Sequence, residues 1–530
     1  MKIHKYIKIA IVVISTGLLK GCDSCRPDQS NFALIGFQDI PSGETYTVVE
    51  DIPGDQTIDF IGRVYYPSYD EDAIQDIADG IDPDLNGVEV SEGPHPLIIF
   101  GHGQYSVGAP NNYLGMTNLM HHLASWGYIC ISVNLDVLQG QWASHQQGIP
   151  QRGELMLHAA DFMIAQNSNS SSIFHNRIDV NKIGLIGHSR GGGGAVSAVN
   201  ANGSISSPRP IEAVATISPV DFFVQPVQEA VPHISLYGTW DGDLSSGHGV
   251  RLWSGGTRQA DKLFVEIYGA NHFHFTDSEN YAGEVEDITR DEHHELSQGF
   301  FNAFFDKHIK GLDRYDWPLY LTGQRRINSV DYYIQYLTND FRSIDTGGPL
   351  GTETTNNLGG ANDGTSLVLF DDKQLTTSSE HFYNAGPGLI AHWDANGDEL
   401  LFNFPNQNAS AYSHLNFRLS QRPDISLNTA DRKKNFKVEL RDATGATSNV
   451  AISNYLDGLQ YPDENGSISS ASSSQFKSIP RTYRIPLSDF TGIDITQLNR
   501  VTLKFDEANT TGFDNTSGAI ALDDLEFTKI

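Results

Sequence analysis

The sequence predicts an α/β fold with a doubly wound, mostly parallel sheet, followed by an all-β, jelly-roll-like sandwich. Short apolar runs such as residues 96–100 and 182–187 alternate with helix-like segments, and this alternation favours parallel strands. Beyond residue 366 the apolar positions instead recur every second residue, as in residues 415–419 and 501–505. The chain is therefore expected to contain two different folding units.

Residues 1–21 have the pattern of a bacterial lipoprotein signal peptide. Three lysines precede an apolar run over residues 9–19, which is shorter than the roughly 20 residues of a membrane span. The Leu-Lys-Gly-Cys that follows ends at Cys22 and resembles a lipobox, whose cysteine is lipidated and becomes the mature first residue. We therefore expect a lipid anchor on Cys22 and a place in the bacterial cell envelope, facing the periplasm or the cell surface, with secretion as the alternative.

Composition divides the rest of the chain into four segments. A tether over residues 22–44 precedes the α/β unit over residues 45–342, a Gly-, Thr- and Asn-rich linker spans residues 343–365, and the sandwich occupies residues 366–530. An acidic insert over residues 69–92 contains a calcium-loop-like pattern, but Gly93 stands where an EF-hand requires a glutamate. We therefore predict an ordinary turn in that insert.

The most specific motif is the Gly-His-Ser-Arg-Gly of residues 187–191, which follows a strand-like run and precedes a helix-compatible segment. Gly-x-Ser-x-Gly in this context is typical of a nucleophile elbow, where the serine takes a strained backbone conformation. The two flanking glycines allow neighbouring chain to approach closely. The motif predicts Ser189 as a nucleophile at the C-terminal edge of a parallel sheet.

A serine nucleophile needs a histidine base and an orienting acid, which this type of fold places in the chain order Ser, Asp/Glu, His. His272 is the predicted base because it follows a strand-like run over residues 263–268 and a glycine, whereas His274 is expected to be a packing or surface residue. Asp241 is the predicted acid because it follows the strand-like run over residues 233–238.

Two other carboxylates compete with Asp241 for the role of the acid. Asp243 lies two residues further along, and Asp221 follows the preceding strand-like run over residues 213–218. The acid has to hold the imidazole in the correct tautomer and stabilise it once it is protonated, so its position relative to the histidine decides among the three.

Backbone N–H donors for an oxyanion are expected in the loop after the third strand of the sheet. The apolar run over residues 96–100 breaks there into Gly-His-Gly, so the N–H groups of Gln104 and Arg190 are predicted to converge on a developing oxyanion. Tyr105 and Trp240 are candidates for lining a substrate pocket. No cofactor is predicted for catalysis, and no zinc-type Cys/His spacing is present in the sequence.

Together with the Arg-Val-Tyr-Tyr-Pro of residues 63–67, the motifs at residues 101–103, 187–192 and 269–277 resemble those of the α/β-hydrolases. Within that superfamily the chain is most similar to bacterial relatives of the platelet-activating-factor acetylhydrolases and of the cutinase-like polyester hydrolases. The Gly-x-x-His-x-x-Phe-Thr-Asp of residues 269–277 matches the acetylhydrolases, whereas an acid at Asp241 matches the cutinase-like arrangement. The resemblance implies a serine esterase that forms an acyl-enzyme with acetylated or polymeric esters.

The C-terminal segment resembles the galactose-binding-like jelly rolls that serve as carbohydrate-binding modules. The last strand of such modules often carries paired acids near a structural calcium, and Asp523 and Asp524 match that position. The resemblance implies a glycan partner and a calcium ion, with ordinary strand-edge carboxylates as the alternative.

Composition limits the partners further. The chain has 35 Lys and Arg against 65 Asp and Glu, a formal net charge of −30, which argues against nucleic acids and anionic membranes. Besides Cys22, the cysteines are Cys25 and Cys130. Cys130 lies in an apolar strand-like run and is predicted to be a buried free thiol, so a disulfide with Cys25 is not favoured.

Two classes of function therefore compete. A serine carboxylic-ester hydrolase is favoured because the nucleophile, acid and base occur in the required order. The alternatives are a non-catalytic glycan-binding or adhesion lipoprotein on a hydrolase scaffold, and a serine peptidase of the same fold. A burst of p-nitrophenol from a short acyl ester would favour the esterase.

Overall fold

The structure is a computed structural model that describes residues 34–48, 56–70, 72–73, 76, 82–105, 111–138, 148–244, 247–277, 287–312, 323–327, 330–348, 351–375, 386–423, 425–462 and 478–529. The predicted signal peptide, Cys22 and Cys25 lie outside these residues. None of the helices within the described ranges is long and apolar enough to cross a membrane.

A mixed sheet of ten strands organises the first unit. Its strands are β1 (Leu34–Asp39), β4 (Gly62–Ser68), β5 (His95–Gly101), β6 (Ile129–Val133), β7 (Ile178–His188), β8 (Ile211–Ile217), β9 (His233–Gly238), β10 (Lys262–Ile267), β11 (Gly323–Ile327) and β12 (Val330–Leu337), and a separate hairpin joins β2 (Thr45–Val48) to β3 (Gln56–Asp59). The order across the sheet is β1-β4-β6-β5-β7-β8-β9-β10-β12-β11. The central strands from β6 to β10 run parallel, as predicted, and antiparallel strands extend both edges.

Helices cover both faces of this sheet. They are α1 (Thr117–Ser125), α2 (Ile149–Ser168), α3 (Arg190–Gly203), α4 (His248–Ser254) and α5 (Arg290–His308). Apolar residues of α1 and α5 pack with alternate strand residues such as Ile98 and Phe100 in one core, and those of α2 and α3 pack with Leu97 and Ile99 in the other. Because both faces are covered, β5 and β6 are buried at every residue.

The second unit, here called the two-sheet unit, lies between residues 341 and 528, and those of its residues that the structure describes form strands, short turns of helix and loops. Its strands are β13 (Phe341–Asp345), β14 (Ala361–Asp363), β15 (Leu369–Gln374), β16 (Pro387–Trp393), β17 (Asp398–Gln407), β18 (His414–Gln421), β19 (Lys437–Asp442), β20 (Thr447–Ala451), β21 (Arg481–Pro486), β22 (Leu498–Phe505) and β23 (Gly518–Thr528). They form two antiparallel sheets, β15-β16-β23-β18-β21 with β13 on β23, and β14-β17-β22-β19-β20. Side chains from both sheets share one apolar core, in which Trp393 stacks on Phe505 at 4.0 Å.

Two predicted boundaries differ from the structure. β1 lies in the predicted tether, residues 22–44, yet it pairs with β4 at the edge of the ten-stranded sheet. The predicted linker, residues 343–365, contains most of β13 and all of β14, which pair with β23 and β17. These short strands are held by backbone hydrogen bonds to their neighbours. Every residue type except proline can both donate and accept such bonds, so a composition rich in Gly, Thr and Asn does not reveal them.

The two units pack directly against each other. Only residues 338–340 separate β12 from β13. The Arg481 guanidinium lies 3.4 Å from the centre of the Tyr333 ring, and the backbone N–H of Tyr336 donates to Thr482 Oγ1 at 3.0 Å. Ile479 also joins an apolar cluster with residues of α4, β9, β10 and β12. The two-sheet unit therefore adjoins the edge of the sheet that contains β10.

Arginine side chains bind Asp523 and Asp524, the two carboxylates that the sequence predicts as calcium ligands. Arg418 Nη2 lies 2.5 Å from Asp523 Oδ2, and its Nε donates to Asp524 Oδ2 at 2.7 Å. Arg258 Nη1 lies 3.2 Å from Asp524 Oδ1. Burial disfavours the Asp524 carboxylate, but the charges of Arg418 and Arg258 outweigh that cost and hold its pKa below the usual value. This arrangement contradicts the predicted calcium site, because two guanidinium groups would repel a divalent cation there.

Two smaller expectations concern single segments. In the acidic insert, Asp84 Oδ1 accepts the backbone N–H of Asn86 at 3.0 Å, and Gly87 has a φ of 70°, so these residues form a turn. Cys130 is a buried free thiol, and burial raises its pKa. The glycan partner of the two-sheet unit stays a prediction.

Candidate active site

Ser189 lies in a strained turn between β7 and α3. Its backbone has φ 55° and ψ −122°, a conformation that a non-glycine residue rarely takes. A Cβ on Gly187 would lie 2.1 Å from the carbonyl oxygen of Gly191, and a Cβ on Gly191 would lie 2.1 Å from that of Gly101. Both flanking glycines are therefore required by close backbone contacts around the serine.

A buried histidine–aspartate pair lies at the same edge of the sheet. His272 Nδ1 is 2.9 Å from Asp241 Oδ2, and both side chains are fully buried. The other oxygen of Asp241 accepts the backbone N–H of Leu244 at 2.7 Å. Because β9 and β10 are parallel neighbours, the loops that follow them emerge side by side, which brings these two residues together.

The two loops are also joined through their backbones. The N–H of Trp240 donates to the carbonyl of Ala270 at 3.0 Å, and the N–H of Gly269 donates to Thr239 Oγ1 at 2.9 Å. Backbone hydrogen bonds between the two loops, as well as the side-chain contact, therefore fix the distance between Asp241 and His272.

The two competing carboxylates occupy other positions. Asp221 binds His248 Nδ1 through one oxygen and Arg251 Nε, at 2.7 Å, through the other. Burial disfavours its charged form, but these two bonds lower its pKa below the usual value. Asp243 is half-exposed, and its Oδ2 lies 3.5 Å from Nε2 of His272, the nitrogen opposite the one that Asp241 binds. Of the three candidates, Asp241 is the one bonded to Nδ1.

The loop that follows β5 packs against the serine. A Cβ on Gly103 would lie 2.8 Å from Cβ of Ser189, so only glycine fits there. The buried His102 donates from Nδ1 to the Gly103 carbonyl at 2.7 Å and accepts the N–H of Leu135 at Nε2, also at 2.7 Å. The next residue, Gln104, is therefore carried by a loop that contacts the nucleophile.

Arg152 on α2 contacts the same loop. The sequence analysis did not predict this residue as part of the site. Its Nη1 donates to the carbonyl of His102 at 3.1 Å, and the side chain is fully buried. Burial and the Arg152 charge lower the pKa of His102 to about 4, so this histidine is neutral near pH 7. A neutral ring is what its one donor bond and one acceptor bond require.

The two predicted pocket residues differ from each other. Tyr105 is buried, and its hydroxyl lies 3.1 Å from Nδ1 of His188. Its side chain therefore packs between the loop after β5 and the nucleophile turn and does not line an open pocket. Trp240 is half-buried beside Asp241 and stays a candidate for contact with substrate. His274 is also half-buried, and its backbone N–H donates to Asn271 Oδ1 at 2.8 Å.

His293 on α5 was also missed, although the sequence contains a signal for it. His293 precedes Leu296 and Phe300 at helix spacing, which places a polar residue on an apolar stripe. Its Nε2 accepts the backbone N–H of Asn271 at 3.0 Å, and its Nδ1 donates to the Thr289 carbonyl at 2.8 Å. The residue before His272 is thereby fixed to the first turn of a helix.

The site therefore combines a serine in a strained turn, a buried His–Asp pair and a glycine loop in contact with the serine. These are the components of nucleophilic acyl transfer.

Comparison with known proteins agrees with this chemistry. Residues 108–288, which include Ser189, Asp241 and His272, match the family model described as PET hydrolase-like. The chain is 25% identical over 154 residues to the bis(hydroxyethyl) terephthalate hydrolase of Streptomyces coelicolor, a match that covers 28% of this chain and 43% of that protein. It is 27% identical over 157 residues to cutinase est2 of Thermobifida alba, with 29% and 47% covered.

The matched segment thus spans less than half the length of these curated relatives. Among solved structures, a ferulic acid esterase from Streptomyces cinnamoneus aligns with a TM-score of 0.40 at 16% identity, over 56% of this chain and 96% of that one. The matches to the family model and to the two curated relatives support an α/β-hydrolase-like fold for the first unit.

Proposed function

We propose that this chain is a serine carboxylic-ester hydrolase, with Ser189 as nucleophile, His272 as base and Asp241 as orienting acid. The observation that carries the proposal is the 2.9 Å contact between the buried His272 and Asp241, at the sheet edge where Ser189 takes its strained turn. The names of the two curated relatives, a terephthalate ester hydrolase and a cutinase, support ester cleavage.

The proposed reaction proceeds in two acyl-transfer steps. Ser189 Oγ attacks the ester carbonyl carbon while His272 Nε2 takes the hydroxyl proton, and Asp241 stabilises the resulting imidazolium. The backbone N–H groups of Gln104 and Arg190 bind the negative oxygen of the tetrahedral intermediate. Its collapse breaks the ester C–O bond, and His272 returns the proton to the departing alcohol. Water then attacks the acyl-enzyme by the same route and releases the acid.

The substrates proposed are neutral carboxylic esters, including acetylated, terephthalate-type and polymeric ones. The formal charge of −30 disfavours polyanionic substrates, and Trp240 offers an aromatic surface beside the acid. A panel of soluble esters of graded acyl length, bis(hydroxyethyl) terephthalate and an aliphatic polyester film tests this range. A preference for amides over esters would favour a peptidase instead.

A fluorophosphonate that reacts with activated serines tests the nucleophile. We expect one adduct on Ser189, and we expect Ser189→Ala to abolish both labelling and ester hydrolysis. Ser197→Ala, a change on the same helix α3, is the matched control and should keep both. An adduct on another serine, or hydrolysis by Ser189→Ala at the wild-type rate, would refute the proposed nucleophile.

We also propose that the chain is exported and lipid-anchored through Cys22, on the basis of its lipobox-like context. Growth with an alkyne-labelled palmitate in a bacterial host should label the wild type and Cys25→Ser, but not Cys22→Ser. Labelling of Cys22→Ser would contradict this assignment.

A further inference from the structure

We propose that His188 is a positioning residue that couples the three loops of the active site through its two ring nitrogens. The proposal rests on the function proposed above and goes beyond it, because His188 belongs neither to the Ser–His–Asp set nor to the predicted oxyanion donors. The residue lies directly before Ser189 and is fully buried, so it acts from beneath the site without touching substrate.

Each nitrogen of His188 bonds to a different loop. Nε2 lies 3.0 Å from the backbone carbonyl of His272, and Nδ1 lies 3.1 Å from the hydroxyl of Tyr105. A carbonyl oxygen can only accept, so Nε2 carries the ring proton, Nδ1 holds a lone pair, and the Tyr105 hydroxyl donates to it. One side chain on the elbow thus reaches both the base loop and the loop after β5.

The bond from Tyr105 requires a neutral imidazole, because only a deprotonated Nδ1 can accept the hydroxyl proton in a hydrogen bond. A protonated ring would have two donors, and the Tyr105 hydroxyl would then have to turn and accept instead of donating. Burial, together with the neighbouring His272, lowers the pKa of His188 to about 3. His188 therefore keeps its tautomer when His272, whose ring centre is 4.8 Å away, takes the proton of the serine hydroxyl.

The packing around His188 leaves little freedom for compensation. A Cβ added at Gly103 would meet Ser189 Cβ at 2.8 Å, the Tyr105 ring at 3.1 Å and His188 Nδ1 at 3.2 Å. The Tyr105 and His188 ring centres are 5.7 Å apart. Because Gly103 is held between Ser189, Tyr105 and His188 without room for a side chain, loss of the His188 bonds is expected to shift the loops relative to Ser189.

The expected effect is on turnover. A displacement of about 1 Å in a reacting group can reduce the rate by about 100-fold. His188→Leu should therefore lower kcat for a soluble p-nitrophenyl ester by roughly 10- to 100-fold, while KM changes by less than about threefold. His188→Gln retains one donor and one acceptor, so it should recover a large part of kcat.

The matched control is His233→Leu. His233 is also a fully buried histidine, but it begins β9 at the opposite end of the sheet, where its Nε2 lies 3.1 Å from Thr216 Oγ1. Its loss should lower the melting temperature about as much as His188→Leu does, with little change in kcat. Tyr105→Phe removes only the hydroxyl that bonds Nδ1, and its kcat should fall with KM unchanged even if His188→Leu does not fold.

Two results would overturn the proposal. One is a kcat equal to that of the wild type in His188→Leu, provided that this variant folds. If it does not fold, the same result in Tyr105→Phe would overturn the proposal. The other is an equal loss of kcat in His188→Leu and His233→Leu at equal loss of melting temperature, which would indicate a purely structural role. The wild type is assayed and labelled in the same series, so failure of the proposed function would show in the wild type, whereas failure of this proposal would show only in the variants.

Discussion

The guanidinium of Arg258 binds both carboxylate oxygens of Glu526, at 2.7 and 2.8 Å, across 268 residues of sequence. Arg258 precedes β10 in the first unit, and Glu526 belongs to β23 in the two-sheet unit. Arg258 Nη2 also donates to the Thr338 carbonyl at 3.0 Å, and its guanidinium lies over the Phe341 ring at 3.8 Å. This ion pair ties the two units together at the point where the chain passes from one to the other.

Removal of Arg258 should destabilise the whole chain. Arg258→Met leaves the Glu526 carboxylate buried without its main partner, so we expect the free energy of unfolding to fall by about 3–5 kcal/mol in urea denaturation. The control is Arg177→Met, which removes an exposed pair with Glu89 at 3.3 Å and should cost less than about 1 kcal/mol. Equal effects of the two changes would show that the inter-unit pair contributes no more than a surface contact.

Deletion of the two-sheet unit should impair hydrolysis of small soluble esters as well as polymers. A chain that ends at Asp340 loses Glu526 and the partner of Gln335, whose Oε1 accepts from Arg418 Nη1 at 3.0 Å. Glu526 binds Arg258 just before β10, the strand that leads to the base loop, and Gln335 lies on β12, which pairs with β10, so we expect kcat on a p-nitrophenyl ester to fall together with the melting temperature. Full activity of the truncated chain on the small ester would instead indicate a unit that only localises the enzyme.

The three candidate acids should differ strongly when each is changed to asparagine. Loss of the triad acid typically reduces turnover by about 10⁴-fold in serine proteases, because the histidine takes the wrong tautomer. Asp241→Asn should show a loss of this order, while Asp221→Asn and Asp243→Asn retain most of kcat. If Asp221→Asn were the most damaged variant, the assignment of the acid would be wrong.

Lowering the pH should reduce the free energy of unfolding, because several buried histidines are neutral in the folded state. Burial lowers the pKa of His102 to about 4 and of His188 and His293 to about 3, below the ordinary value of 6.5. The folded state therefore binds fewer protons than the unfolded state as the pH falls below 6.5. Each such histidine should remove about 1.4 kcal/mol of stability per pH unit between 6.5 and its folded pKa.

Urea denaturation at pH 7 and pH 5 measures this dependence. The wild type should be clearly less stable at pH 5, and His293→Gln should lose less stability between the two pH values because one titrating group is gone. Burial also raises the pKa of Asp277 and Glu526 to about 7, which adds stability as the pH falls through the same interval, so the comparison with the variant decides. An equal loss of stability in the wild type and in His293→Gln would contradict the neutral assignment of His293.

Prediction from sequence worked best where the cause of a feature is local. The strand-like run before residue 187, the glycines on either side of Ser189 and the small residues after it all act within a few positions, so the elbow could be predicted from its own segment. The parallel core of the sheet could be predicted as well, because burial on both faces makes its strands continuously apolar. The linker prediction was wrong because the pairing of β13 and β14 depends on strands far along the chain.

The sequence alone determined which residue types stand at the ends of the strands, and hence that a serine, a histidine and several carboxylates were available at one sheet edge. Only the tertiary structure decided which groups are partners: Asp241 with His272, Asp221 with Arg251, and the paired acids of β23 with Arg418 and Arg258. The physical reason is that burial makes a charged or polar side chain depend on whatever group lies within about 3 Å, and these partners come from distant segments that no local pattern connects.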